Sequence, residues 1–222
     1  MKTDVANTPS HLYADKAANY FANARTDIEE LLPLSETQPL HVLEIGCAGG
    51  HTLEWLKRNG RCSWAAGVEP YTELSVTPGT VDRFFKLDIE ESLPDLPSAS
   101  IDLILCLDVL EHLVDPWETL RRLDKFLKPG GMWIISVPNI RNYHILTDLA
   151  FKGRFDYAND GILDRTHLRF FTRASAIQLA EITGAKVQRI LLPEMHRWQK
   201  KFLSRLGLGD LLAKQLILQA IK

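Results

Sequence analysis

Short apolar segments alternate with segments of helical periodicity along most of the chain. The apolar segments end in polar or turn-forming residues, as strands do, and they cover 41–45, 64–68, 83–87, 101–107, 132–137, 185–192 and 215–221. Apolar residues that recur every three or four positions predict helices over 15–32, 52–59, 116–126, 172–183 and 197–206. This alternation predicts an α/β fold with a mostly parallel seven-stranded sheet, helices on both faces and an antiparallel C-terminal strand pair.

Size and composition indicate one ordinary globular domain over 1–222. The chain is 45% hydrophobic and 24% charged, with a formal net charge of -2, so it lacks the basic character that nucleic-acid binding requires. Its three cysteines show no CxxC spacing, which argues against disulfides and zinc, and we expect no metal. The N-terminus has no secretory signal and no apolar run is long enough to span a bilayer. We therefore expect a cytoplasmic protein.

A glycine-rich turn follows the first predicted strand. Residues 46–50 read Gly-Cys-Ala-Gly-Gly and lead into a helix, which lets a ligand approach the backbone closely. Carboxylates lie at the ends of the first three predicted strands: Glu44 precedes the glycine turn, Glu69 follows the second strand and Asp88 follows the third. Ligands bind beyond the carboxyl ends of parallel strands, so these groups predict a site at that edge.

Three segments resemble motifs of class I methyltransferases that use S-adenosylmethionine (SAM). Residues 42–50 are similar to their first motif, 102–113 to their fourth-strand motif, and 127–131 to the turn before their fifth strand. The resemblance covers nearly the whole chain and implies a Rossmann-like sheet, SAM as methyl donor and S-adenosylhomocysteine as product.

The same resemblance implies which residues contact the cofactor. Glu69 binds the ribose, Asp88 the adenine, and Leu107 and Asp108 line the wall near the methionine part. The full implied set is Glu44, Gly46, Cys47, Ala48, Gly49, Glu69, Pro70, Asp88, Ile89, Leu107, Asp108, Val109 and Arg25. Ala48 stands where the family often has glycine, and we expect this departure to be tolerated because alanine adds only a methyl group.

An NAD-dependent dehydrogenase shares the glycine turn and the carboxylate after the second strand. It requires G-x-G-x-x-G, whereas the glycines here are Gly46, Gly49 and Gly50. It also does not predict Glu111-His112 or the turn at 128–131. The methyltransferase interpretation is therefore favoured.

Three residues are candidates for a general base that accepts a hydroxyl proton from the methyl acceptor. They are His112 and Asp108 after the fourth predicted strand, and His167 farther along the chain. The alternative role is structural: a loop histidine bound to backbone for His112, and a wall or capping residue for Asp108.

The stretch 138–171 interrupts the alternation and is too long for a simple connection. It mixes aromatic and charged residues, which suits a lid over a polar ring, although Asp164 and Arg169 could instead pair and hold it to the sheet. Its segment Asp-x-Thr-His-x-Arg-Phe-Phe-Thr, at 164–172, resembles methyltransferases found beside glycosyltransferases in bacterial surface-glycan pathways. The predicted acceptor is thus a sugar hydroxyl of a glycan or activated sugar. The alternatives are a small metabolite (a quinone precursor or an amine) and a non-catalytic SAM-binding protein.

Two flanking segments carry further expectations. Residues 1–33 resemble a helical cap over SAM in that subgroup, with Arg25 facing the cofactor carboxylate and Tyr13 or Tyr20 covering the site. The basic amphipathic segment 196–206 could touch an anionic membrane peripherally or pack on its own domain.

Overall fold

A computed structural model describes residues 23–33, 39–70, 81–193 and 208–222. Across these residues, seven strands form one sheet: β1 (Leu40–Ile45), β2 (Cys62–Val68), β3 (Arg83–Phe85), β4 (Ile101–Leu107), β5 (Leu127–Pro138), β6 (Lys186–Leu191) and β7 (Gln215–Ile221). Their order is β3-β2-β1-β4-β5-β7-β6. Strands β1 to β5 are parallel, and β7 is antiparallel to both β5 and β6. The predicted fold class is confirmed.

The α-helices of the described residues are α1 (His51–Arg58), α2 (Pro116–Leu123), α3 (Tyr143–Lys152) and α4 (Arg173–Ala180). Two of them begin at strong start signals. Asp115 accepts a hydrogen bond from the Glu118 N–H at 2.9 Å and Pro116 opens α2, while Thr172 and Ser175 form a capping box at α4.

Two hydrophobic clusters cover the two faces of the sheet. In β4, Ile104 and Cys106 belong to one cluster, while Leu103 and Leu105 belong to the other. All four side chains are fully buried. A central parallel strand buries both faces, which explains why the sequence of β4 is an unbroken apolar run.

The predicted helix over 15–32 is wrong where the structure describes it. Residues 23–25 are not helical, and Thr26–Leu31 is a short 3-10 helix. The Arg25 backbone N–H donates to Thr52 Oγ1 at 3.2 Å, and its side chain binds across the sheet edge. These long-range contacts override the local helical preference. Residues 15–22 lie outside the described part.

Three smaller differences concern the connections. β3 ends at Phe85, two residues before the predicted end of its strand. The predicted turn at 128–131 lies inside β5, as an irregularity in its pairing with β4 where Gly130 has a φ of 76°. The stretch 138–171 contains the unpredicted helix α3. The predicted helix over 197–206 lies outside the described residues.

None of the helices in the described part of the chain combines the length and the apolar character that crossing a bilayer requires. A cytoplasmic location and a peripheral membrane contact through 196–206 stay predictions.

Candidate functional site

The glycine turn after β1 folds back over the end of β2. The N–H groups of Gly46 and Cys47 both donate to the Val68 carbonyl, at 2.8 and 3.2 Å. A Cβ on Gly67 would lie 2.4 Å from Cys47 Sγ, so the turn packs directly against β2. Burial raises the pKa of the Cys47 thiol above its usual range, which keeps the thiol protonated and makes Cys47 a packing residue.

Gly46 is also where the turn meets the end of β4. Its φ is +68°, and a Cβ there would lie 2.4 Å from Val109 Cγ2. The second predicted glycine, Gly49, would place a Cβ 2.8 Å from His51 Nε2. The glycines therefore allow Val109 and His51 to approach the turn more closely than a side chain would permit. The approach of a ligand to this backbone stays a prediction.

Glu69 connects the glycine turn to the end of β2. Its buried carboxylate accepts a hydrogen bond from the Ala48 N–H at 3.1 Å. Ala48 has a φ of 46°, in the left-handed region that favours glycine, so the departure at this position carries backbone strain. Pro70 follows Glu69 at the exposed rim.

Glu44 is a buried carboxyl group beneath the turn. Burial raises its pKa to about 8, a shift that Glu69 reinforces and that Thr52 and Arg25 oppose. Within the described residues, no hydrogen-bond partner reaches its Oε2. An unsatisfied buried oxygen in a folded protein calls for an explanation, and a ligand that donates a hydrogen bond to it would supply one.

Arg25 and Asp108 form an ion pair at the ends of β4 and β5. Ser136 Oγ donates to the same carboxylate at 2.9 Å, and Gln215 Nε2 also binds it. Arg25 therefore does lie at the predicted site, but its guanidinium binds Asp108 in this structure. Tyr13 and Tyr20 lie outside the described residues.

The remaining predicted cofactor residues lie around the same edge. Asp88 Oδ1 accepts from the Glu90 N–H at 2.8 Å and stabilises the turn after β3. Ile89 and Leu107 are buried, at 5% and 8% exposure, and each belongs to one of the two hydrophobic clusters, so their contact with the cofactor stays a prediction.

Two of the three predicted base candidates are brought together. The rings of His112 and His167 meet edge to face, with centroids 4.8 Å apart. Nδ1 of His112 lies 3.1 Å from the Thr166 carbonyl, and Nδ1 of His167 lies 3.0 Å from the Ile162 carbonyl. A carbonyl oxygen only accepts, so each Nδ1 donates its N–H to the carbonyl beside it.

The stretch 138–171, which we call the insertion, is attached to the turn after β4 by backbone hydrogen bonds. The N–H groups of Leu168 and Arg169 both donate to the Glu111 carbonyl, at 2.8 and 2.9 Å. Arg169 also donates to the Val114 carbonyl, while Asp164 Oδ1 accepts from the Thr166 N–H at 2.9 Å. This attachment fixes His167 beside His112.

The outer part of the insertion offers aromatic and polar groups. Phe155, Tyr157 and Phe170 cluster with ring centroids 5.7 to 6.3 Å apart, whereas Phe171 is buried in the core. A neighbouring depression is lined among others by His144, Asp148, Arg154, Asp156, Ile162 and Lys214. It adjoins the histidines, because Ile162 supplies the carbonyl that holds His167.

The family model described as a methyltransferase domain matches residues 17–190. This chain belongs to the methyltransferase-domain family. The cofactor is SAM, and the described residues fit it: the glycine turn leaves close backbone approaches, Glu69 stands at the end of β2, and Glu44 keeps a buried acceptor atom. Membership favours an active enzyme over a non-catalytic SAM-binding protein.

Curated relatives of this methyltransferase domain include two that are named ubiquinone biosynthesis O-methyltransferase. The protein from Coxiella burnetii (strain Dugway 5J108-111) is 27% identical over 159 residues, which are 65% of this chain and 66% of the relative. The protein from Xanthomonas campestris pv. campestris (strain B100) is 26% identical over 156 residues, which are 64% of each chain. The match thus spans just under two thirds of the length of these relatives.

Solved structures share the fold. A SAM-dependent methyltransferase from Archaeoglobus fulgidus has a TM-score of 0.64 at 20% identity, covering 92% of this chain and 97% of the other. The 1,6-didemethyltoxoflavin-N1-methyltransferase of Burkholderia thailandensis, solved with bound 1,6-didemethyltoxoflavin and S-adenosylhomocysteine, has a TM-score of 0.57 at 18% identity, covering 96% of this chain and 81% of the other.

Proposed function

We propose that this methyltransferase domain O-methylates a sugar hydroxyl of a glycan or an activated sugar. When bound, SAM supplies a methyl group on a positively charged sulfur that leaves as a neutral thioether. The protein then has two tasks: to align the acceptor oxygen and to remove its proton.

In this proposal three groups of this chain hold the cofactor. The glycine turn at 46–50 presents its backbone, and Glu69 offers a carboxylate to ribose hydroxyls. Glu44 offers a buried acceptor to an amino group. Val109 packs against Gly46 from the side of β4.

The His112–His167 pair carries the assignment to an oxygen acceptor. A sugar hydroxyl is a poor nucleophile that gains from a proton acceptor, and each histidine uses Nδ1 for its backbone contact, so Nε2 is the nitrogen that would accept the proton. Asp108 is less suited to that role, because Arg25 and Gln215 already bind its carboxylate. We therefore assign the activation of the hydroxyl to the histidine pair.

The outer insertion supports a sugar over a flat apolar acceptor. The depression beside α3 is lined by charged groups of both signs, including Asp148, Arg154 and Lys214, which can bind several hydroxyls. Phe155, Tyr157 and Phe170 provide ring faces for stacking on a sugar. The stretch 138–171 acts in this proposal as the lid of the acceptor site.

A quinone precursor is the second candidate acceptor. The curated relatives are named for ubiquinone biosynthesis, and their reaction is also an O-methylation. A phenol is more acidic than a sugar hydroxyl, so it depends less on a base. An amine acceptor is the weaker variant of this candidate.

Transfer of a tritiated methyl group from SAM tests these acceptors directly. The panel contains nucleotide sugars and surface-glycan extracts, a dihydroxylated aromatic acid and a set of small amines. We expect label only in the sugar fraction, whereas transfer only to the aromatic acid would establish the second candidate.

Single-turnover rates with the labelled acceptor test the histidine pair. We expect His112→Ala and His167→Ala to lower the rate by about 10²-fold or more, within the range for general-base removal. His41→Ala is the control, because His41 lies at the opposite end of β1 against Trp64. Unchanged rates in both variants would remove the histidine pair from the mechanism.

A further inference from the structure

The histidine pair has a third member, Glu111, which the sequence did not single out as a site residue. Glu111 is fully buried, His167 is 7% exposed and His112 is half-buried. One ligand atom from each of these three residues lies within 4.8 Å of the other two. Two imidazoles and one carboxylate thus converge on one small volume.

The histidines are oriented as they are in metal sites. The Nδ1–H groups of His112 and His167 point to the carbonyls of Thr166 and Ile162, at 3.1 and 3.0 Å. Metal-binding histidines usually donate their second ring N–H in this way, which fixes the ring and leaves the other nitrogen for the metal. With Nδ1 on a carbonyl, Nε2 is the ring nitrogen of each histidine that an ion would take as a ligand.

Hydrogen bonds fix the backbone of both segments that carry the cluster. Glu111 and His112 belong to the 3-10 turn Leu110–His112, whose Glu111 carbonyl accepts from Leu168 and Arg169. The His167 N–H donates to the Asp164 carbonyl at 3.0 Å. The ligands thus come from two segments that bind each other, so closing them around an ion requires side-chain shifts of only about 1 Å to reach metal–ligand bonds of about 2.0–2.2 Å.

We propose that Glu111, His112 and His167 bind a divalent transition-metal ion of the Zn²⁺ type. Three protein ligands leave at least one open position on such an ion, and imidazole favours Zn²⁺ and its neighbours over Mg²⁺. Resting on the proposed function, the open position takes the acceptor hydroxyl oxygen. The ion then lowers the pKa of that hydroxyl, and its proton passes to solvent.

This proposal reverses the metal independence that the sequence predicts. It also changes the role of the histidines, which become ligands instead of the base that accepts the proton. Loss of activity in the histidine variants fits both roles, so a binding measurement is needed to separate them.

Calorimetric titration of the chelator-treated full chain with Zn²⁺ alone provides that measurement. We expect one ion per chain, and binding at least about tenfold weaker in His112→Ala, His167→Ala and Glu111→Gln. His41→Ala, with a histidine removed from the far end of β1, should bind as the unaltered chain does. Thermal unfolding of each variant identifies any that fail to fold, and half-buried His112 is the substitution expected to fold most readily.

Titration with Co²⁺ adds a readout that reports the ligands. Binding at this cluster should produce visible d–d absorption that is lost in folded His112→Ala. Absence of stoichiometric Zn²⁺ binding, or binding unchanged in folded His112→Ala and His167→Ala, would overturn the proposal.

The acceptor assay distinguishes the two proposals. Sugar methylation by a metal-free chain at an undiminished rate would overturn the cation site and leave the proposed function standing. If Zn²⁺ binds at the cluster and the enzyme methylates only a non-sugar acceptor, the cation site stands and the proposed sugar acceptor is overturned.

Discussion

Arg25 and Asp108 form an ion pair that links the N-terminal segment to the turn after β4. Asp108 has a left-handed backbone, with a φ of 57°, and its carboxylate also binds Ser136 and Gln215. Burial alone would lower the pKa of Arg25, but Asp108 and Asp27 raise it above its ordinary value. Arg25 thus stays charged, and the carboxylate that it binds joins four segments at the edge of the cofactor site: the N-terminal segment, the turn after β4, β5 and β7.

A double-mutant cycle with Arg25→Ala and Asp108→Asn should give a coupling free energy of about 1–2 kcal/mol, because the pair is partly shielded from water. Urea unfolding measures it. The control is the Glu54–Arg58 pair on α1, where Arg58 is 77% exposed and we expect at most about 0.5 kcal/mol. Equal couplings in the two cycles would contradict a special role for Arg25.

Gly46→Ala should weaken SAM binding by about tenfold or more, equivalent to at least about 1.4 kcal/mol. The new Cβ would lie 2.4 Å from Val109 Cγ2, and the φ of +68° adds backbone strain. Calorimetric titration with SAM measures the effect.

Two further variants distinguish the contact with Val109 from the backbone strain at position 46. Gly60→Ala has a similar φ of +66° but open space around its Cβ, so it should leave SAM binding unchanged. Adding Val109→Ala to Gly46→Ala should restore part of the affinity. If it restores none, the contact with Val109 is not the cause.

Ala48→Gly should raise the free energy of unfolding by up to about 0.5 kcal/mol. The left-handed backbone at φ 46° costs an alanine about 1 kcal/mol, and the greater entropy of glycine in the unfolded chain offsets part of that gain. Ala65→Gly, at a buried position in β2, is the matched control and should destabilise by about 1 kcal/mol. Similar losses in both variants would show that Ala48 is not strained.

Glu44→Gln should change how stability depends on pH. The folded chain holds the proton of Glu44 up to about pH 8, whereas the unfolded chain releases it near the ordinary value of 4.5. The folded state therefore binds more protons between these values, and the contribution of Glu44 to stability falls as pH rises from 4.5 to about 8. Glutamine does not titrate, so the free energy of unfolding of the variant, relative to that of the unaltered chain, should rise by a few kcal/mol between pH 4.5 and about 8.

Unfolding of the SAM-free chain at a series of pH values measures this difference. The groups that act on Glu44 are Arg25, Thr52 and Glu69, so all three stay unchanged in the experiment. Glu118→Gln, on the exposed side of α2, is the control. Parallel stability curves for Glu44→Gln and the unaltered chain would refute the raised pKa.

Elements with a strong local signal were predicted closely. β4 and β7 have the predicted bounds, because an apolar run between polar residues marks a buried strand wherever it lies. The start of α4 was also readable, since Thr172 and Ser175 cap the helix through contacts within one turn. The segment 23–31 was mispredicted because Arg25 is held by residues far along the chain.

Periodicity and motif spacing were enough to predict the strands of the sheet, the glycine turn and the carboxylates at the strand ends, since each of these patterns involves residues only a few positions apart. Only folding could reveal the pairing of Arg25 with Asp108 or the meeting of Glu111 and His112 with His167. Those contacts join groups far apart in sequence, and their geometry depends on how the insertion binds the turn after β4. The acceptor side rests on such contacts throughout. On the SAM side the motifs are local in the sequence, but the packing of Gly46 against Val109 and the pairing of Arg25 with Asp108 also required the fold.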